Sequence, residues 1–165
     1  MTLVLHTERL RLILESTEGI LARIAGLSPA DRAEVSEDWL ARLRSSPSSP
    51  WTHGFALVER TTDTVVGSAA FKGPPTSDGA VEIAYVVDKE YRGRGFAKEA
   101  AAALVEHAIS VGVRLVCAHT LPERGPSTGV LEACGFDNVG EILDPEDGLV
   151  WRWEFRQRDI ETGTG

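Results

Sequence analysis

The residues Arg92-Gly93-Arg94-Gly95-Phe96-Ala97 follow a short apolar run at 81–87 and lead into a long helical pattern. Two glycines one residue apart allow a tight turn and let a ligand come close to the backbone. The first amides of a helix have no acceptor inside it, so phosphate oxygens are natural partners for them. Strand, basic glycine loop and helix start together form an anion cradle, with Arg92 and Arg94 adding charge at its rim. A turn that only needs two positive dihedrals would use the same letters, so spacing must narrow the choice. No GxxxxGK[ST] is present, and Gly93-x-Gly95 lacks the third glycine of a dinucleotide fingerprint.

Two side chains could move protons. Regular alternation puts Glu82 and Ala84 on one face of the strand, with Ile83 and Tyr85 on the other. A carboxylate there can take a proton directly or through water; an ordinary solvated strand carboxylate is the competing role. His119 ends a later apolar run, where an imidazole can transfer protons or simply hold the next loop. Cys117 and Cys134 are too few for a disulfide scaffold, and the four histidines have no metal-like spacing with them, so no metal is expected. No Cys/His arrangement compels a covalent intermediate.

The elements that position these residues can be read in order. Leu10, Leu12 and Leu14 alternate with Arg9, Arg11 and Ile13, as in a half-buried strand. A short apolar helix is expected around 20–27. A second begins at Ser28-Pro29-Ala30-Asp31 and carries Val35, Trp39, Leu40 and Leu43. Ser45-Ser46-Pro47-Ser48-Ser49-Pro50 reads as a loop, and Trp51 after it either anchors that loop or caps a site. Residues 55–59 and 65–71 form a hairpin, and the two prolines at 74 and 75 confine 72–79 to a loop. The helix after Gly95 carries Ala97, Ala100, Ala101, Leu104, Val105, Ala108 and Val111 on one broad face. A strand at 114–119 completes a parallel strand–helix–strand unit. Pro126 opens another helix, which Gly135 ends before Phe136. Trp151, Trp153 and Phe155 share one face of a terminal hairpin and favour core. The segment 156–165 reads as a flexible tail to one domain spanning 1–165.

Composition sets outer bounds. A chain of 165 residues, 42% hydrophobic and 25% charged, fits one soluble domain. No apolar run approaches the ~20 residues that cross a bilayer, and no signal segment opens the chain, so cytoplasm is the expectation. A formal charge of −8 argues against nucleic-acid and anionic-membrane partners and permits a cationic acceptor.

Arg92-x-x-Gly95-x-Ala97 resembles the R/Q-x-x-G-x-G/A acetyl-CoA loop of the GNAT superfamily of N-acetyltransferases. Thr7-Glu8-Arg9-Leu10-Arg11-Leu12, Val81-Glu82-Ile83-Ala84-Tyr85 and Val130-Leu131-Glu132-Ala133-Cys134-Gly135-Phe136 extend the likeness over residues 7–155, and it is similar to the RimJ/RimL-type ribosomal-protein acetyltransferases. The resemblance implies an α/β single-domain fold. Its central sheet is mixed, mostly antiparallel, split between two parallel strands and flanked by helices. It also implies acetyl-CoA as co-substrate and direct transfer to a primary amine in a ternary complex. The cofactor would lie on Tyr85, Val86, Val87 and residues Arg92, Gly93, Arg94, Gly95, Phe96 and Ala97, and Glu82 would stand near the acceptor nitrogen.

Two positions depart from the family. Arg124 stands where its Asn helps hold the cofactor arm, and Leu131 stands where its Tyr protonates the leaving thiolate. The resemblance offers Ser127 for that proton, against helix capping by Ser127 or a proton from water. These departures leave a non-catalytic acyl-CoA sensor or interaction domain as the alternative. The acceptor is open between a protein N-terminus and a small-molecule amine, and the family permits a homodimer.

Overall fold

The computed structural model describes residues 2–45 and 48–156. Ser46 and Pro47 of the expected loop, and the tail beyond Arg156, lie outside the described residues. The elements are β1 (Val4–His6), β2 (Leu10–Leu14), α1 (Thr17–Ala25), α2 (Pro29–Ala33), α3 (Glu37–Ser45), β3 (Phe55–Glu59), β4 (Thr64–Phe71), β5 (Ala80–Val87), a 3-10 turn (Lys89–Tyr91), α4 (Phe96–Ser110), β6 (Leu115–Thr120), α5 (Pro126–Ala133), β7 (Asp137–Asp144) and β8 (Gly148–Arg156).

The eight described strands form one sheet in the order β1-β2-β3-β4-β5-β6-β8-β7. Neighbours are antiparallel except β5 and β6, which run parallel because α4 carries the chain back across the sheet. That pair is short: Ala80↔Leu115, Val81↔Val116 and Glu82↔Cys117, after which the strands part. The fold is therefore the expected mixed, mostly antiparallel α/β sheet, split at its parallel pair.

Period-two alternation decides the buried face. Leu10, Leu12, Phe55, Leu57, Val81, Ile83 and Val116 turn one way and meet α4. The helix answers with Ala100, Ala101, Leu104 and Ala108, all fully buried, and its alanines let it lie close to the strands. Val111, expected on this face, is the residue just past the helix end and is exposed. Trp51 packs on Phe71 with ring centroids 4.9 Å apart and joins the core, so it anchors the loop before it. Trp153 is buried, with Trp151 and Phe155 packed against the same core.

Two expectations need correction. A three-residue strand, β1, precedes β2 and pairs with it, and it is too short to show alternation. The helix expected from Ser28 is two helices. Ser36 Oγ accepts the Trp39 N–H at 3.2 Å, starting α3 anew and breaking the apolar stripe from the Ser28 cap.

Gly67 keeps β4 and β5 close at the parted end. A Cβ there would lie 2.2 Å from the Val86 carbonyl oxygen, a backbone atom that cannot swing aside. Gly67→Ala is therefore expected to cost about 2 kcal/mol, a fall in Tm of roughly 4–8 °C by calorimetry. An unchanged Tm would mean the strands are not held this close.

Candidate active site

The glycine loop is built as its letters demand. Gly93 and Gly95 have φ of +79° and +84°, the left-handed region that glycine enters without a Cβ penalty. Gly95 precedes α4, and no side chain caps that helix. The Glu99 N–H returns to the Gly95 carbonyl at 3.2 Å, which leaves the Phe96, Ala97 and Lys98 amides pointing out of the helix start. A groove of about 570 Å³ opens in front of them, lined by Tyr85, Val87, Arg92, Lys98, Ser127 and Val130 among others. Amide donors, two cations and open space where a Gly93 Cβ would stand fit a diphosphate.

A contact across 90 residues fixes this helix start. Glu99 accepts from Thr7 Oγ1 (2.6 Å), from the Arg9 amide (3.0 Å) and from Arg9 Nε. The Arg9 guanidinium then lies over the Phe96 ring, 4.8 Å from its centroid. Burial pushes the Glu99 carboxyl up, but the Thr7 hydroxyl and Arg9 together outweigh it and hold it below its ordinary value near 4.5. A carboxyl held low stabilises the fold above its unfolded pKa, and that contribution is lost as pH falls through the lower folded value. Glu99→Gln is thus expected to cost about 2 kcal/mol at pH 7, limited because Arg9 is half exposed to solvent. The deficit in Tm should shrink below the pH where Glu99 protonates, and a deficit constant into acid would contradict the tether.

The split follows from backbone parity. Lys72 N–H donates to Glu82 O and Asp88 N–H to Val66 O, both at 2.8 Å, so even-numbered residues of β5 turn their backbone to β4. Odd-numbered residues face β6, whose pairing stops at Cys117. The Tyr85 N–H and C=O and the Val87 N–H therefore open onto the gap, and Arg92 Nε takes the Val87 carbonyl at 2.9 Å. Val86 also lines the groove, while its backbone N–H and C=O belong to β4. Burial, with Cys134 nearby, pushes the Tyr85 phenol far above its ordinary value near 10, so it stays neutral as part of the groove wall.

Glu82 lies on the other face of the sheet, where the two strands begin to part. Its Oε2 is 3.4 Å from Lys72 Nζ and 3.2 Å from His119 Nδ1. Burial pulls the Lys72 ammonium down, but the Glu82 carboxylate outweighs that and holds it above its ordinary value near 10.5. The groove and the carboxylate thus flank the same strand. An extended arm entering from the α4 side would reach the Glu82 side through the gap.

The other expected residues divide. Ser127 lines the groove and has no hydrogen-bond partner among the described residues. Thr128, not Ser127, caps this helix: its hydroxyl accepts the Gly125 N–H at 3.0 Å and donates to the Gly125 carbonyl at 2.9 Å. Arg94 turns from the groove to Glu59 at 3.1 Å, so its side chain does not rim the cradle as expected. Arg124 pairs with Glu132 at 3.1 Å on the surface, and the structure does not bring it to the groove. Leu131 is fully buried. Lys72 and the Thr7–Glu99 tether carry no signal in the sequence, because only the folded sheet brings them to these positions.

An uncapped helix start beside a parted parallel strand pair has the donors and the space to hold a phosphorylated carrier with a long arm. The chain belongs to the acetyltransferase (GNAT) domain family, whose profile it matches over residues 10–137, and so to enzymes that carry an acyl group from coenzyme A to an amine. It is 24% identical over 154 residues to the uncharacterized N-acetyltransferase p20 of Bacillus licheniformis, covering 86% of each chain. The fold resembles a ribosomal-protein-S5-alanine acetyltransferase from Vibrio fischeri at a TM-score of 0.69 and 16% identity, covering 95% of this chain and 98% of that one. It also resembles a chimera of the Vibrio cholerae spermidine N-acetyltransferase SpeG with hSSAT at 0.70 and 14%, covering 90% and 96%. Among the described residues no cluster is placed to hold a metal, and no helix is long and apolar enough to cross a membrane.

Proposed function

We propose that this protein transfers the acetyl group of acetyl-CoA to a primary amine by direct attack in a ternary complex, as a cytoplasmic enzyme of the RimJ/RimL type. The observation that carries the reading is the placement of groove and carboxylate on opposite faces of β5 at the point where β6 leaves it. The amides of Phe96, Ala97 and Lys98, with Arg92, hold the diphosphate. The Tyr85 and Val87 N–H groups receive the carbonyl oxygen as it gains charge. Glu82 takes a proton from the acceptor ammonium, and the freed nitrogen attacks the carbonyl carbon. The C–S bond breaks as the attacking nitrogen sheds its second proton to water, and the thiolate takes a proton from water, either directly or through a Ser127 hydroxyl that water restores.

The two named structural neighbours act on a ribosomal protein and on spermidine, so both an N-terminal peptide and a polyamine belong in the first screen. Release of CoA thiol, followed with a thiol reagent, should depend on acetyl-CoA and on at least one such amine. The buried Leu131 and the outward Arg124 favour a second reading, an acyl-CoA sensor. Saturable acetyl-CoA binding without turnover across the whole panel would select the sensor.

A further inference from the structure

We propose that His119 is a positioning residue that shares the proton taken by Glu82, so that the two act as one base. The inference rests on the transfer reading above. Pairing of Glu82 with Cys117 puts His119, two residues on, on the same face of the sheet as Glu82. The His119 side chain is only 10% exposed, and its Nδ1 lies 3.2 Å from Glu82 Oε2 and 3.7 Å from Asp144 Oδ2. Neither ring nitrogen, both cut off from solvent, makes an aligned hydrogen bond. Buried polar atoms are normally paired, and here an imidazole is held between two carboxylates without a bond that folding alone would supply.

The surrounding charges give the pair a direction. Backbone N–H groups of Asp147 and Glu146 hold the Asp144 carboxyl below its ordinary value, so it stays ionised beside the ring. Lys72 approaches Glu82 from beyond β4. On β8, Arg152 is bound to Glu154 at 2.8 Å. On β6, burial pushes the Cys117 thiol up and keeps it neutral. Glu146 and Asp147 occupy the turn between β7 and β8. One proton leaves the acceptor ammonium for the Glu82 carboxylate and passes to His119 Nδ1. Glu82 is then again an anion, and the imidazolium lies between it and Asp144. The proton returns to water after the amide departs, and no electrons change hands.

The test uses the full chain and a double-mutant cycle read in turnover. The double variant Glu82→Gln/His119→Asn should fall no more than about twofold below Glu82→Gln alone, because two groups that act as one base are lost together. In turnover, His119→Ala should lower kcat about 10-fold near neutrality while KM for acetyl-CoA stays put. The loss should fade at high pH as the amine arrives deprotonated. His119→Asn keeps a polar nitrogen near the Nδ1 position; it should hold Tm and acetyl-CoA affinity but show the same pH-dependent loss. Losses that multiply in the double variant, or a kcat loss constant across pH, overturn the shared base while leaving transfer intact. Wild-type protein that binds acetyl-CoA and turns over no amine overturns the transfer reading, and the shared base with it.

Discussion

Glu82→Gln is expected to lower kcat about 100-fold while leaving acetyl-CoA affinity within about twofold. The substitution is nearly isosteric and removes only the ability to accept a proton. Glu82 is about one quarter exposed and stands on the face away from the α4 groove, so the diphosphate and the arm lose nothing. Lys72 would keep a polar neighbour in the amide oxygen, which limits structural disturbance around it. Calorimetric titration with acetyl-CoA and turnover with a saturating amine separate the two quantities. An unchanged kcat would remove Glu82 from the chemistry. Equal losses in kcat and affinity would mean that the variant disturbs the split itself.

Gly95→Val should have the opposite signature, weakening acetyl-CoA at least 10-fold. The left-handed region costs an ordinary residue about 1–2 kcal/mol, and a β-branched one is a genuine outlier there. Gly95 sits at φ +84°, and its added Cβ would lie 2.8 Å from Arg9 Nη2, the guanidinium that ties the amino-terminal segment to Glu99. Relief by backbone rotation re-aims the Phe96, Ala97 and Lys98 amides, and relief by moving Arg9 loosens the tether. Gly93→Val is the matched control. Its φ is +79°, but no atom lies within 4 Å of the added Cβ, so it carries the dihedral strain without the clash at Cβ. Affinity should fall further for Gly95→Val than for Gly93→Val. Equal effects would mean that Arg9 plays no part in shaping the cradle.

The contrast between these two glycines shows what the sequence exposes and what it hides. Their left-handed turns, the uncapped start of α4 and the alternation of β5 are local, and local rules read them. The parallel β5–α4–β6 unit was equally legible, because its spacing leaves little choice of topology. Three features were not. The break between α2 and α3 turned on Ser36, whose capping outweighed an apolar stripe that reads as one helix. Arg94 and Arg92 look alike as letters, yet Glu59 at the end of β3 draws one away while the Val87 carbonyl seats the other. The cluster around Glu82 draws Lys72, His119 and Asp144 from three separate strands or loops, and no periodicity relates them. Ser127 shows the same limit at close range: helix geometry gives the cap to its neighbour Thr128.

Amide NMR during an acetyl-CoA titration tests the central arrangement most directly. The largest saturable shifts should fall on Phe96, Ala97 and Lys98, where amides meet the diphosphate, and on Tyr85 and Val87, where the arm lies in the gap. Val86, whose N–H belongs to β4, should move less than either neighbour. Saturable shifts clustered away from these residues, or no saturable shift at all, would contradict it.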